Sequence, residues 1–222
     1  MTPYYDDGIC TIYHGDCRQI DAWDIAGGVM VTDPPYGMGY VTSRSEGDWQ
    51  SRWQGKPITG DKDTTVRDAI LARWCPRPAL VFATWKAPLP PGTREMLVWD
   101  KVVSTGTGDL AIPWRSSWEA ICLLGSGFVG RRTHGVLHYP LPTLAPERQL
   151  HPTAKPIGLM RHLVDRCPPL AEIVDPFMGS GTTLRAAKDC GRRAIGVEIE
   201  ERYCEVAAKR LAQEVLDFGG AA

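Results

Sequence analysis

The sequence predicts an α/β fold, with a mostly parallel sheet of seven strands, helices on both faces and an antiparallel hairpin on one edge. Three observations predict it. Short apolar runs recur at strand length. The later ones alternate with stretches of helical spacing, the pattern of a parallel sheet covered on both sides. Several runs also end in turns of unusual chemistry, and sheets of this class bind ligands beyond the carboxyl ends of their strands.

The seven expected strands cover 9–13, 29–32, 79–84, 96–99, 120–124, 172–174 and 193–197. Between the fourth and fifth lies a connection rich in Gly, Pro and Trp with no helical pattern, hence the hairpin. Helices are expected over 156–167, over 182–190, where a Gly-rich turn opens a run holding Ala186 and Ala187, and over 201–218, where Val206, Leu211 and Val215 share a face. Two stretches, 40–63 and 128–150, fit neither period and read as long loops, which in compact domains tend to be functional or mobile.

Composition narrows the class. A chain of 222 residues can bury one substantial core, so 1–222 reads as a single catalytic domain, with a mobile loop at 40–63 and a small recognition segment at 128–150. Hydrophobic residues at 43% and charged residues at 23% are ordinary for a globular protein. The net charge of −1 neither requires nor excludes a polyanionic partner, since such a footprint is local. Seven cysteines without a Cys-x-x-Cys pair, and five histidines away from zinc spacing, predict no metal and a reducing, cytoplasmic setting. Residues 1–7 lack the apolar run of a signal peptide, and no run approaches the roughly 20 residues of a membrane span.

Two constellations carry chemistry. The first, Val174-Asp175-Pro176-Phe177-Met178-Gly179-Ser180-Gly181-Thr182-Thr183, passes from a strand through a Gly-rich turn into a helix. Its glycines let backbone approach a ligand, and a helix N-terminus offers free N–H groups to an anion. Glu198 ends the next strand, where a carboxylate can accept both hydroxyls of a ribose. No Lys follows Gly181 and the third glycine of the dinucleotide fingerprint is missing, so a ligand without a pyrophosphate fits better.

The second, Val29-Met30-Val31-Thr32-Asp33-Pro34-Pro35-Tyr36-Gly37, is an apolar strand ending in Asp-Pro-Pro-Tyr. Two prolines remove two N–H donors and stiffen the chain. What remains is the Pro34 carbonyl and the Asp33 carboxylate as fixed acceptors beside an aromatic ring, a clamp for an amine. An aromatic amine is a weak nucleophile because its lone pair is delocalised. Two acceptors holding its N–H bonds can pyramidalise the nitrogen while Tyr36 stacks on the base.

Together these residues resemble the amino-methyltransferases of DNA. Phe177-Met178-Gly179-Ser180-Gly181 is similar to the family's FxGxG cofactor motif, and Asp33-Pro34-Pro35-Tyr36 to its catalytic motif. The catalytic motif comes first, as in the circularly permuted beta group. His14-Gly15-Asp16-Cys17 and His151-Pro152-Thr153-Ala154-Lys155-Pro156 extend the resemblance over nearly the whole chain, although the family usually has Gln where Ala154 stands.

The resemblance implies a Rossmann-like methyltransferase sheet and S-adenosyl-L-methionine as cofactor. Asp175, Pro176, Phe177, Gly179, Ser180, Gly181 and Thr182 would line its methionine end with Thr153, Lys155 and Pro156; Glu198 would hold the ribose and Asp16 border the adenine. Asp at the first catalytic position goes mainly with N6 of adenine, which a DNA enzyme reaches by base flipping. The same clamp would serve an N4-cytosine or an RNA amino-methyltransferase. A nucleic-acid-binding module without turnover is the reading from another class, against which the intact clamp argues.

For DNA contact, Arg44, Arg52 and Lys56 lie in the 40–63 loop with Trp49 and Trp53, a mixture suited to phosphates and bases. Arg131 and Arg132 lie in 128–150, a segment small enough to imply a short or relaxed target sequence. Trp85, just past a strand end, could border the base pocket, though burial in the core is the ordinary reading. The partner implied is DNA. Beta-group relatives make a homodimer the expected assembly, and a restriction endonuclease partner is left open.

Overall fold

The computed structural model describes residues 1–39, 59–102, 111, 113–114, 116–141 and 155–213. Among them are nine strands: β1 (Tyr5–Asp6), β2 (Cys10–His14), β3 (Val29–Thr32), β4 (Ala79–Ala83), β5 (Glu95–Asp100), β6 (Trp118–Leu124), β7 (Val136–His138), β8 (Ile173–Asp175) and β9 (Ala194–Glu198). The helices are α1 (Thr65–Trp74), α2 (Ile157–Asp165), α3 (Thr182–Asp189) and α4 (Glu201–Ala212). The strands form one sheet in the order β1-β2-β9-β8-β3-β4-β6-β5-β7.

All seven expected strands are present, and β1 and β7 add two. Five neighbours, β2, β9, β8, β3 and β4, run parallel. The expected hairpin is β5–β6, with Met96 opposite Cys122. It does not form the edge, because Val136–His138 pairs parallel with Val98–Asp100 outside it. The segment 128–150 is therefore not loop throughout.

Burial on both faces explains why the central strands read as unbroken apolar runs. Alternate residues of β3 serve opposite layers. Val29 and Val31 pack with Leu159, Leu163, Leu184 and Leu211 of α2, α3 and α4. Met30 packs with Trp23, Ile70, Leu71 and Trp74 on the side of α1. Helix α1 is absent from the sequence expectations. Its buried face includes Arg67, which breaks the apolar period, and its N-terminus is capped by Asp63, whose Oδ1 accepts the Thr65 N–H at 2.9 Å, within a polar run where such a residue does not stand out.

The connection after β8 is built by glycine. Gly181 has φ +75°, and a Cβ there would lie 2.7 Å from the Ala207 Cβ of α4. A residue with a side chain would thus be strained in its backbone and would push α3 from α4. No helix among the described residues is long and apolar enough to cross a membrane.

Candidate active site

The carboxyl ends of the parallel strands open onto a cavity of about 660 Å³. Asp33 follows β3, Asp175 ends β8, Glu198 ends β9, and Asp16 lies two residues past β2; all four line it. Because β8 lies between β9 and β3, it joins the two constellations that chain order separates.

At one end, the Gly-rich turn wraps the acids. Asp175 is buried and its Oδ1 accepts from the Thr32 hydroxyl at 2.6 Å and the Phe177 N–H at 3.1 Å. Glu198 accepts the Gly179 N–H at 3.0 Å through Oε2 and the Glu200 N–H at 2.7 Å through Oε1. Burial outweighs these donors, pushing the Asp175 carboxyl up to about 6 and that of Glu198 up to about 7. Asp16 pairs with Arg18, which holds its carboxyl below the usual range.

At the other end, both oxygens of Asp33 are engaged. Oδ1 accepts the Tyr36 hydroxyl at 2.7 Å, and Oδ2 lies 2.6 Å from Lys155 Nζ. Lys155 also reaches Glu119 Oε2 at 3.1 Å, and Glu119 Oε1 meets Lys101 at 2.6 Å. Burial raises the Asp33 carboxyl, with Lys155 opposing it. For Glu119, burial is outweighed by Lys155 and Lys101, which hold its carboxyl well below the ordinary value. The segment after Tyr36 is pinned by buried Asp61, which accepts the Gly37 N–H at 2.8 Å. A Cβ on Gly37 would come 2.7 Å from the Asp63 backbone, so this close return requires glycine.

A family model described as DNA methylase, covering N6 and N4 methyltransferases, matches residues 98–209. YubD of Escherichia coli (strain K12), described as a methylase, is 30% identical over 232 residues, spanning 93% of this chain and 93% of YubD. The chain belongs to the DNA methylase family. The methylase also shares its fold with two solved structures at identities that speak of fold alone. The M1.HpyAVI–SAM complex has a TM-score of 0.66 at 20% identity, covering 92% of this chain and 100% of that one. PvuII DNA methyltransferase, titled cytosine-N4-specific, has a TM-score of 0.63 at 14% identity, covering 96% and 90%.

Of the residues singled out in the methylase sequence, Asp16, Asp33, Pro34, Pro35, Tyr36, Lys155, Asp175, Pro176, Phe177, Gly179, Ser180, Thr182 and Glu198 all face the one cavity. Gly181 and Pro156 are not among its lining residues; the first shapes the turn and the second precedes α2. The ammonium of Lys155 goes to the Asp33 end. Arg131 and Arg132 are exposed and away from the cavity wall. Thr153, Arg44, Arg52, Lys56, Trp49 and Trp53 lie outside the described residues.

The expected burial of Trp85 is overturned. Trp85 is 66% exposed at the cavity rim instead of buried, because β4 ends at Ala83 and the chain has already left the core. Glu119 and Lys101 were not foreseen. Glu119 stands near the start of β6 and Lys101 follows Asp100 just past β5, positions where surface charges are commonplace; only the fold turns both toward the cavity.

Proposed function

We propose that this methylase transfers a methyl group from S-adenosylmethionine to the N6 amino group of adenine in DNA, the base being turned out of the duplex into the cavity beside Asp33. The observation that carries the proposal is the continuity of the cavity from the Asp33–Tyr36 motif to the Asp175 and Glu198 turn. Donor and acceptor can then meet without leaving one enclosure.

The residues present fit the donor. The cavity volume falls within the roughly 300–1,000 Å³ of small-molecule sites. Glu198 would hold the ribose hydroxyls, the turn from Phe177 to Ser180 the methionine end, and Asp16 the surroundings of the adenine. When bound, S-adenosylmethionine supplies an electrophilic methyl on a sulfonium.

The chain itself prepares the amine. Asp33 and the Pro34 carbonyl accept its two N–H bonds, which localises the lone pair on nitrogen, and Tyr36 borders the ring plane. As the bond from nitrogen to the methyl carbon formed, the methyl–sulfur bond would break with its electron pair returning to sulfur, and the nitrogen would lose one proton, by way of Asp33, to water. Burial has made Asp33 more basic than an ordinary carboxylate, and therefore a better acceptor for that proton's hydrogen bond. Arg44, Arg52, Lys56, Arg131 and Arg132 supply phosphate and base contacts in this reading.

Incubation with isotopically labelled S-adenosylmethionine and, separately, DNA and RNA, followed by nucleoside mass spectrometry, tests the proposal. Labelled 6-methyladenine from DNA is expected. Label in 4-methylcytosine, or in RNA alone, would overturn it.

A further inference from the structure

Lys155 occupies an unusual position. Its side chain is 8% exposed, and its ammonium lies between two carboxylates, 2.6 Å from Asp33 and 3.1 Å from Glu119. Three aromatic rings surround it, with centroids 4.9 Å away for Phe82, 5.8 Å for Tyr36 and 5.9 Å for Trp99. Ring faces attract a cation and exclude water, so the charge is held in place and poorly screened. Glu119 is in turn fixed by Lys101 at 2.6 Å. The result is an alternating row, Lys101, Glu119, Lys155, Asp33, running into the cavity wall.

From this geometry we infer that Lys155 and Glu119 are positioning residues of the amine clamp, with Lys155 fixing the Asp33 carboxylate and Glu119 cancelling the charge that Lys155 brings. The inference rests on the proposed role of Asp33 as acceptor. A carboxylate has about four lone-pair sites, and Tyr36 and Lys155 take one on each oxygen. Sites remain for an incoming N–H, while the carboxylate is held against rotation.

Charge explains why a second acid is needed. As methyl transfer proceeds, positive charge builds on the amine nitrogen, which a lone lysine beside Asp33 would oppose. Two carboxylates and two ammonium groups sum to zero, so Asp33 keeps its pull on the developing cation. Without Glu119 the row carries one net positive charge.

The test uses Glu119→Gln and Lys155→Met, each checked for unchanged thermal unfolding, with Lys155→Arg as the conservative control. The Asp33 carboxyl is followed by its carbon-13 chemical shift against pH, independently of turnover. Loss of the Glu119 charge should move the Asp33 titration to lower pH. Loss of the Lys155 charge should move it to higher pH by about 1–3 units, the range for one close opposite charge, and Lys155→Arg should restore it. Where the wild type methylates DNA, the acid limb of kcat/KM should shift the same ways. Glu119→Gln should then lower kcat about tenfold or more while S-adenosylmethionine affinity stays unchanged.

Shifts in one common direction, or none, would overturn the inference. Opposed shifts in a protein that transfers no methyl to DNA would leave the network standing and sink the proposed function instead.

Discussion

The hydroxyl of Thr32 donates to the carboxylate of Asp175 across 2.6 Å, tying the last residue of β3 to the last residue of β8. Both are buried, and each immediately precedes one of the two chemical turns. This bond registers the two turns against each other. Thr32→Val keeps the shape and removes the donor, leaving a buried carboxyl with less compensation. A loss of about 1–3 kcal/mol is expected from denaturant unfolding, the usual cost of an unmet buried polar group.

Asp33→Ala should abolish methyl transfer and leave S-adenosylmethionine affinity largely intact, because the clamp acts on the amine and not on the methyl donor. Calorimetry alongside a transfer assay checks this. Loss of both properties would contradict the assignment.

Glu198 should make donor binding depend on pH. Its carboxyl is raised from 4.5 to about 7, so it is charged above that pH and protonated below it. A carboxylate accepts two ribose hydroxyls better than a carboxylic acid does, so affinity should weaken as pH falls through about 7. Glu198→Gln should bind weakly at every pH and remove this step. The sign for stability is opposite. The folded state binds this proton more tightly than the unfolded chain does, so the group favours folding at low pH, and that contribution is lost as pH rises through about 7. Calorimetric titration at several pH values, paired with unfolding curves, separates the two effects.

Trp85 offers an exposed ring at the rim, with Lys86 Nζ 5.6 Å from its centroid. If it stacks on a nucleotide, Trp85→Ala should weaken DNA binding by about 1–3 kcal/mol, the value of one base–aromatic stack. Thermal stability should barely change, since the side chain is mostly out of the core. Fluorescence anisotropy with labelled DNA reads the affinity. An unchanged value would remove Trp85 from the interface.

What could be read from the sequence follows from what each feature depends on. The seven strands and the three later helices announce themselves through local periodicity, as in Val29–Thr32 or the face shared by Val206 and Leu211. Helix α1 escaped because Thr65–Trp74 buries Arg67 among its apolar residues, which blurs the apolar period. Strand β7 escaped because three residues, Val136–His138, are too few for a period to register. The two turns were legible because Asp-Pro-Pro-Tyr and the Gly-rich run are contiguous. The row from Lys101 to Asp33 was not, since its four members come from separate parts of the chain and meet only after folding.

The ends of the sheet constrain how this protein could meet another copy of itself. Among the described residues the two outermost strands are β1, of two residues, and β7, of three. So few backbone groups give an approaching strand little to zip against, a common protection from edge-to-edge growth. Strand pairing through β1 or β7 would therefore give a second copy of this methylase only a short joint, at the ends of the sheet farthest from the central parallel strands that hold the chemistry.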